Sequence, residues 1–288
     1  MDLDEIIENA LKEDIGGGDI TSATVLRKNA TGKAQLKIKD DGILCGIPVA
    51  RKVFQKVDPS LTLNTYLSDG GTIKKGDIAF DISGSIHSIL AAERVVLNFL
   101  QRMSGIATAT SKIVEKLQGL NTKLLDTRKT TPNLRALEKY AVKTGGGVNH
   151  RFGLFDMILV KDNHTDIAGG MLPVMLALEK FRKVNNKSPM KIEVEVRTFA
   201  ELVDVMKRGE NVVDRIMLDN FTVRDLADAV KIIDHQYETE ASGGITIANI
   251  REYAETGVDF ISVGALTHEF KSLDMSLKVI PWSVLFDM

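Results

Sequence analysis

The pattern of apolar and polar residues along the chain changes near residue 105. Before that point, helical spacing over residues 3–12 gives way to short alternating runs such as KAQLKIK (33–39), separated by turn-forming sequences such as SDGG and KKGD. Alternation between such turns predicts antiparallel strands with one solvated face. Apolar residues at three-and-four spacing then predict a helix over residues 89–107.

From about residue 122 onward, predicted strands and helices alternate. The strand patterns occupy 123–127, 156–161, 191–196, 215–220, a weaker run near 237–241, and 259–265. The helical patterns lie at 132–144, 171–183, 199–209, 223–234 and 248–256. Repeated β-α units imply parallel strands joined by right-handed crossovers. Six strands are too few for a complete eight-stranded barrel, and the local pattern fits both an incomplete α/β barrel and a doubly wound open sheet.

Each predicted strand ends in, or is followed by, residues with polar or charged side chains or by glycine. In α/β barrels the carboxyl-terminal strand ends converge on one mouth, where catalytic groups collect. This regularity favours the barrel. The residues concerned are Asp126, Thr127, Arg128 and Lys129, then Lys161, Glu195, Asp219, Ser242, Gly243, Gly244 and Gly264.

Composition and charge narrow the class of protein. Lys and Arg (37) nearly balance Asp and Glu (39), and this argues against a nucleic-acid binder. The single cysteine, Cys45, excludes an internal disulfide and a cysteine-based zinc site, and its apolar neighbours predict a core position. The acidic, amphipathic N-terminus is unlike a secretory signal, and no apolar run approaches the roughly 20 residues of a membrane span. We therefore expect a cytoplasmic protein that does not bind membranes.

Five basic residues lie at or just beyond strand ends in DTRKT, NHR and LVKDNH, namely Arg128, Lys129, His150, Arg151 and Lys161. On a nearly neutral chain they predict a local positive field. Guanidinium groups match carboxylate or phosphate oxygens two at a time, and lysine adds a point charge. The sequence therefore predicts a strongly anionic substrate. The alternative is that these residues are solvated charges or partners of nearby aspartates.

Two acids follow the central strands. Glu193 and Glu195 point to the same face of an alternating strand, and Glu195 is the nearer to the predicted mouth. Glu195 and Asp219 predict a site for a hard cation such as Mg²⁺, or for sugar hydroxyls. The alternative is that they form salt bridges with the basic residues.

Two glycine-containing turns are candidate phosphate sites. Glycine allows backbone N–H groups to approach an anion at the start of a helix, and barrels commonly bind phosphate after their last two strands. The turns contain Ser242, Gly243 and Gly244 in the first and Gly264 in the second. His87, His164 and His235 lack the spacing of a metal site, and we expect structural roles for them.

The chain resembles the quinolinate phosphoribosyltransferase family, the carboxylating nicotinate-nucleotide pyrophosphorylases of NAD biosynthesis. The resemblance is most specific in LLDTRKTTPNLRALEKYAVKTGGGVNHRFGLFDMILVKDNH (124–164), then in IEVEV, IMLDN, ASGGI and ETGVDFISVGALTH. It implies an N-terminal α/β open sandwich over 1–105, joined by the C-terminal segment 272–288, and an incomplete, about seven-stranded α/β barrel over 106–271. It also implies a homodimer or an assembly of dimers.

The resemblance also implies roles for individual residues. The pocket for quinolinate matches Thr127, Arg128, Lys129, His150, Arg151 and Lys161, and Arg94 matches an arginine that reaches the partner subunit's site. Glu195 and Asp219 match the region that binds ribose, Mg²⁺ and pyrophosphate, and Ser242, Gly243, Gly244, Gly264 and His268 match the 5-phosphate site. The residues expected to be catalytic are Lys129, Lys161, Glu195 and Asp219. The implied reaction converts quinolinate and phosphoribosyl pyrophosphate to nicotinate mononucleotide, pyrophosphate and CO₂.

Three other functions stay open at this point. A ModD-like branch of the same fold, linked to molybdenum uptake, has similar DTRKT and HR sequences. A non-catalytic barrel that binds phosphorylated ligands would bind without releasing pyrophosphate. An unrelated phosphosugar isomerase would need no cationic clamp for a second anion. The number of candidate carboxylate clamps favours quinolinate.

Overall fold

A computed structural model of the chain describes residues 2–185 and 189–280 as a succession of helices and strands. The helices are α1 (Leu3–Ile15), α2 (Ile20–Val25), α3 (Ile47–Val57), α4 (Ile86–Lys116), α5 (Arg135–Thr144), α6 (Asp162–Ala168), α7 (Met171–Val184), α8 (Phe199–Arg208), α9 (Val223–Ile233), α10 (Ile250–Ala254) and α11 (Ala265–His268). The strands are β1 (Thr31–Ile38), β2 (Gly42–Ile43), β3 (Thr62–Thr65), β4 (Thr72–Ile73), β5 (Ile78–Ser85), β6 (Lys123–Leu125), β7 (Ile158–Val160), β8 (Ile192–Val196), β9 (Arg215–Asp219), β10 (Glu238–Ser242), β11 (Phe260–Ser262) and β12 (Met275–Ile280).

Residues 2–111, 130–146 and 266–280 form one compact unit. Its main sheet is antiparallel, in the order β12-β1-β5-β3. Ala34, Leu36 and Ile38 alternate along β1 and have no exposed surface, so they place one face of this sheet in the core. Strand β12 pairs with β1, whereas residues 281–288 of the predicted segment 272–288 lie outside the described residues.

The helix predicted over residues 89–107 is longer in the structure, where α4 covers Ile86–Lys116. The prediction ended at the small and polar residues 108–111. The helix accommodates them because the Thr110 hydroxyl donates to the Ile106 carbonyl at 2.8 Å and Ile113 continues the buried spacing. Neither α4 nor any other helix in the described ranges is both long and apolar enough to cross a bilayer.

Residues 112–129 and 147–265 form a second compact unit, in which strands and helices alternate. Its six strands are parallel and follow the order β6-β11-β10-β9-β8-β7. A single parallel bridge between Leu125 and Val148 adds one residue beyond β6. Among the described residues no ladder joins that edge to β7, so the array is an incomplete barrel.

Local chemistry explains where helix boundaries differ from the predicted ones. Helix α5 begins three residues late because Asn133 adopts a left-handed conformation, with φ of 67°. Helix α10 is shorter than predicted because the Asn249 side chain accepts the Thr246 N–H at 2.7 Å and forms a turn first. The short helix α6, directly after β7, was not predicted.

Candidate active site

One face of the central strands β8, β9 and β10 carries the polar residues of the second unit. Glu193 and Glu195 lie on the same side of β8 because successive residues of a strand alternate between faces. Glu193 pairs in register with Arg215, and Asp219 with Ser242, so the polar positions of neighbouring strands are adjacent. The acids and the serine at the carboxyl ends of these strands thus face one region.

Glu195 is held by groups from the end of β7. Its Oε2 lies 3.1 Å from Lys161 Nζ, and its Oε1 accepts the Asp162 N–H at 3.3 Å. Glu195 is only 6% exposed, whereas the Lys161 side chain is 46% exposed, so the pair presents an ammonium group to solvent. His164 Nδ1 accepts the Lys161 N–H at 2.9 Å and caps α6, which is the structural role predicted for it.

The ends of β9 and β10 form a second tight cluster. Ser242 Oγ donates to Asp219 Oδ1, and the Asn220 amide donates to Asp219 Oδ2 at 2.6 Å. The Asn220 N–H donates to the Ser242 carbonyl at 2.9 Å. Gly243 and Gly244 follow with φ of 92° and 62°, and a Cβ added at Gly243 would overlap the Asn220 side-chain oxygen. The turn therefore requires glycine at Gly243.

Two arginines lie close enough to influence each other. Burial lowers the pKa of Arg151, and the positive charge of Arg128 lowers it further. Arg151 Nη1 donates to the Met157 carbonyl at 3.2 Å, and Arg128 is exposed. Neighbouring guanidinium groups repel each other, and a bound anion relieves that repulsion. This region is suited to an anionic ligand.

His150 turns its ring into the interior of the second unit, and its side chain is only 6% exposed. Its Nε2 lies 3.1 Å from Glu193 Oε2 and 3.5 Å from Glu240 Oε2. Arg215 Nη1 lies 3.0 Å from Glu240 Oε2, and its guanidinium lies 3.9 Å from the centre of the Phe260 ring. Burial raises the pKa of Glu193, and burial together with the charge of Glu193 raises the pKa of Glu240 to about 8.

The other predicted site residues lie in loops or on helices. Thr127 and Lys129 share the turn after β6, where the Lys129 N–H donates to Thr127 Oγ1 at 3.0 Å. Gly264 follows β11 within the second unit. Arg94, on α4, and His268, at the end of α11, are exposed and belong to the first unit. The remaining predicted site residues all belong to the second unit.

Family models match nearly the whole chain. The model of the quinolinate phosphoribosyl transferase N-terminal domain matches residues 19–104, and that of the C-terminal domain matches residues 106–278. The chain belongs to the quinolinate phosphoribosyltransferase family.

Named relatives and a solved structure agree with this family. Quinolinate phosphoribosyltransferase [decarboxylating] 1 from Nicotiana glauca is 43% identical over 96% of this chain and 82% of its own length. A probable nicotinate-nucleotide pyrophosphorylase [carboxylating] from Bacillus subtilis is 39% identical over 97% of this chain and 94% of its own. The crystal structure of NadC from Streptococcus pyogenes superposes with a TM-score of 0.90 at 38% identity, covering 97% of both chains. The predicted incomplete α/β barrel with an N-terminal α/β domain is confirmed.

The phosphoribosyltransferase chain has one cluster of three metal-ligating side chains among its described residues, formed by His150, Glu193 and Glu240. Glu195 and Asp219 instead provide two carboxylates at the ends of adjacent strands. Mg²⁺ is typically bound by one or two carboxylates together with substrate phosphates and water. The donor set at Glu195 and Asp219 therefore fits Mg²⁺ bound with a phosphorylated substrate.

Sequence reasoning missed buried residues beside the candidate site. Glu193 was ranked below Glu195 by its distance from the strand end, and the buried Arg215 and Glu240 were not selected. The available signal was alternation, because Glu193, Arg215 and Glu240 occupy the same face as the predicted residues. Charged residues on the inner face of barrel strands indicate a polar interior.

Proposed function

We propose that the protein transfers the phosphoribosyl group of phosphoribosyl pyrophosphate to quinolinate and releases pyrophosphate and CO₂. The relatives described above carry the names of this reaction. The observation that carries the proposal is the placement of cations and acids at the same strand ends, where Lys161 Nζ lies 3.1 Å from Glu195 Oε2 and Asp219 shares the face of Glu195. Burial and the charge of nearby Arg128, which both lower the pKa of Arg151, support it. A cationic region next to an acidic one suits two different substrates better than a single phosphosugar.

Quinolinate carries two adjacent carboxylates on a pyridine ring. Arg128 and Arg151 are the proposed clamps for them, because each guanidinium matches a carboxylate with two hydrogen bonds. Lys129 and Lys161 add point charges. This arrangement leaves the ring nitrogen for reaction with ribose.

Phosphoribosyl pyrophosphate binds, in this proposal, along the ends of β8 to β11. Glu195 and Asp219 bind ribose hydroxyls and hold Mg²⁺, which when bound neutralises charge on the pyrophosphate. The 5-phosphate binds at the glycine turns, with Ser242, Gly243, Gly244 and Gly264 as neighbours and His268 as a further proposed contact. Glycine at Gly243 is required by its φ of 92° and allows close approach of the backbone to an anion.

The chemistry then needs no protein nucleophile. The pyridine nitrogen forms a bond to the anomeric carbon as the bond to pyrophosphate breaks, and Glu195 and Asp219 stabilise the positive charge on ribose. The cationic ring next accepts the electron pair of the bond to the adjacent carboxylate. CO₂ leaves, and the ring carbon takes a proton. Lysines near the leaving pyrophosphate stabilise its negative charge.

The proposal extends to assembly and location. Arg94 contributes to the site of the partner subunit in a homodimer or an assembly of dimers. A boundary between the N-terminal and barrel domains near residue 105 is also part of the proposal, and the ends of the two family models support it. A cytoplasmic location is supported by the single cysteine of the sequence.

A turnover assay with quinolinate, phosphoribosyl pyrophosphate and Mg²⁺ tests the proposal. We expect nicotinate mononucleotide, pyrophosphate and CO₂ in equal amounts. Lys161→Ala should lower kcat/KM by roughly 100-fold or more, as expected for loss of a charge that stabilises the transition state. The matched control is Lys191→Ala, because Lys191 also lies 3.1 Å from a glutamate but precedes β8. Ligand binding without pyrophosphate release would contradict the proposal.

A further inference from the structure

The His150 ring is placed by a hydrogen bond at Nδ1 and by a carboxylate close to Nε2. Its Nδ1 accepts the Arg151 N–H at 2.7 Å, and its Nε2 lies 3.1 Å from Glu193 Oε2 at ion-pair distance. A backbone N–H can only donate, so the ring proton of neutral His150 is on Nε2, the nitrogen beside the carboxylate. The backbone N–H of His150 donates to the buried Asp126 Oδ1 at 2.8 Å, and this bond fixes the main chain of the same turn.

Glu193 and Glu240 are themselves held in place. Both have no exposed surface, and Arg215 bonds Glu240 at 3.0 Å and Glu238 at 3.1 Å. The Arg215 guanidinium stacks on the Phe260 ring. A guanidinium already supplies the positive charge in this cluster, and a His150 Nε2 that carries a proton is not a metal ligand. The geometry therefore favours a support made of ion pairs over a metal centre.

The contacts of Glu193 and His150 continue to Arg151, the arginine that is proposed to bind quinolinate. Glu193 orients the His150 ring, the ring accepts the Arg151 N–H, and Arg151 then extends to the Met157 carbonyl at 3.2 Å. If the ring rotates, the Arg151 N–H loses its partner and the start of the arginine side chain moves with it. Small displacements of a substrate clamp have large effects on binding.

We propose that Glu193 is a positioning residue for quinolinate, supported by Glu240 and Arg215, and that it acts by fixing the His150–Arg151 turn. The kinetic part of this inference rests on the proposed function, whereas the orientation and tautomer of His150 do not. No direct contact between Glu193 and a substrate is required.

Three variants test the inference. Glu193→Ala removes the acceptor and leaves the pair of Arg215 with Glu240 intact. It also removes one of two neighbouring buried acids, so the fold should survive. Glu193→Gln keeps the size and an acceptor oxygen. The control, Glu238→Ala, removes another partner of Arg215 that does not contact His150. Near-ultraviolet circular dichroism and thermal unfolding establish that each variant is folded.

Steady-state kinetics provides the first measurement. Glu193→Ala should raise KM for quinolinate roughly tenfold, because the His150 ring loses its ion-pair partner and Arg151, the proposed clamp, is displaced with it. KM for phosphoribosyl pyrophosphate should change by less than about twofold, because that substrate binds elsewhere. Glu193→Gln should recover most of the loss, and Glu238→Ala should behave as the unaltered protein. An equal rise in both KM values, or a loss that Glu193→Gln does not recover, would overturn the inference.

Nitrogen-15 NMR of histidine-labelled protein provides a measurement that needs no turnover. The His150 signals, identified by their absence in His150→Gln, should show a proton on Nε2 in the unaltered protein and in Glu193→Gln. In Glu193→Ala the pattern should become that of a ring exchanging between tautomers. An unchanged pattern overturns the inference even if the enzyme turns over quinolinate. A stoichiometric divalent metal in the purified protein that is lost in Glu193→Ala also overturns it. If quinolinate is not a substrate but the NMR shift occurs, only the proposed function fails.

Discussion

Two glutamates lie side by side in the interior of the second unit, and each affects the ionisation of the other. Burial raises the pKa of Glu240 from its ordinary 4.5 to about 8, with the charge of Glu193 as the second cause. In the unfolded chain the same group titrates near its ordinary value. Between these two pKa values the folded state therefore binds one proton more than the unfolded state. Because unfolding releases that proton, the free energy of unfolding falls as the pH rises through this window.

Glu240→Gln should remove much of this pH dependence, since glutamine has the same shape and no proton to lose. For the unaltered protein we expect the free energy of unfolding to fall by on the order of a few kcal/mol between pH 5 and 8, at about 1.4 kcal/mol per pKa unit. The variant should show a much shallower slope. Urea unfolding at intervals from pH 5 to 8.5 measures both.

Glu238→Gln is the matched control on the same strand. Although burial opposes it, ion pairs with Lys191 and Arg215 lower the pKa of Glu238. The ionised Glu238 carboxylate therefore stabilises the fold at pH values above the ordinary pKa of a glutamate. This contribution is lost only as the pH falls below that pKa. This control should keep the slope of the unaltered protein above pH 5. Parallel slopes for Glu240→Gln and the unaltered protein would contradict the assigned ionisation of Glu240.

At the scale of elements, the ends of β9 and β10 depend on one glycine. Gly243→Ala would place a methyl group against the Asn220 side chain and 3.0 Å from the Asn220 nitrogen, at a φ of 92° that disfavours alanine. We expect a loss of roughly 1–3 kcal/mol in the free energy of unfolding. Since Asn220 also donates to Asp219, KM for phosphoribosyl pyrophosphate should rise. Denaturant unfolding and steady-state kinetics measure the two effects.

Comparing Gly244→Ala with Gly243→Ala separates the effect of backbone strain from that of steric overlap with Asn220. Gly244 also has a positive φ, of 62°, but an added Cβ would meet no atom within 4 Å. Only the backbone cost of the left-handed conformation remains, about 1–2 kcal/mol. KM for phosphoribosyl pyrophosphate should therefore rise less in Gly244→Ala than in Gly243→Ala. Equal kinetic effects of the two substitutions would show that overlap with Asn220 is not the cause.

The periodic spacing of apolar residues along the chain predicted the helices and strands of this fold well. All six parallel strands were predicted in the right places, because most contain a short apolar or alternating pattern bounded by turns, although the pattern at β10 (ETEAS) is weak. Boundaries set by single side chains were not predictable from period alone. Asn133 delays α5 and Asn249 shortens α10, and both act through local turn geometry. The order of the strands and the open edge at β7 depend on pairing between distant segments.

The candidate site, like the fold, was predictable from the sequence only in part. Strand ends indicated Lys161, Glu195 and Asp219, since parallel strands bring their carboxyl ends to one edge. The direction of the His150 ring could not be derived, because it depends on Glu193 and Glu240 from two other strands. Nothing in the local sequence of NHR distinguishes a ring directed to a substrate from a ring directed to the interior.

At the scale of the whole molecule, Arg94 belongs to a different compact unit from most of the predicted site residues. It is an exposed residue of α4 in the first compact unit, whereas Lys129 belongs to the second unit. The proposed dimer assigns it to the site of the partner subunit. In symmetric dimers each site would then combine residues from both chains.

Mixing two inactive variants tests this arrangement. Arg94→Ala and Lys129→Ala should each have little activity alone. In a mixed dimer, one site contains the intact Lys129 of the first chain and the intact Arg94 of the second, while the other site lacks both. Random pairing makes half of the dimers mixed, so about a quarter of the unaltered activity should return. A mixture of Lys129→Ala with Lys161→Ala should recover nothing, because both residues belong to the same chain's barrel. If the first mixture is as inactive as this control although subunit exchange is demonstrated by mass spectrometry, Arg94 acts within its own chain or has a structural role.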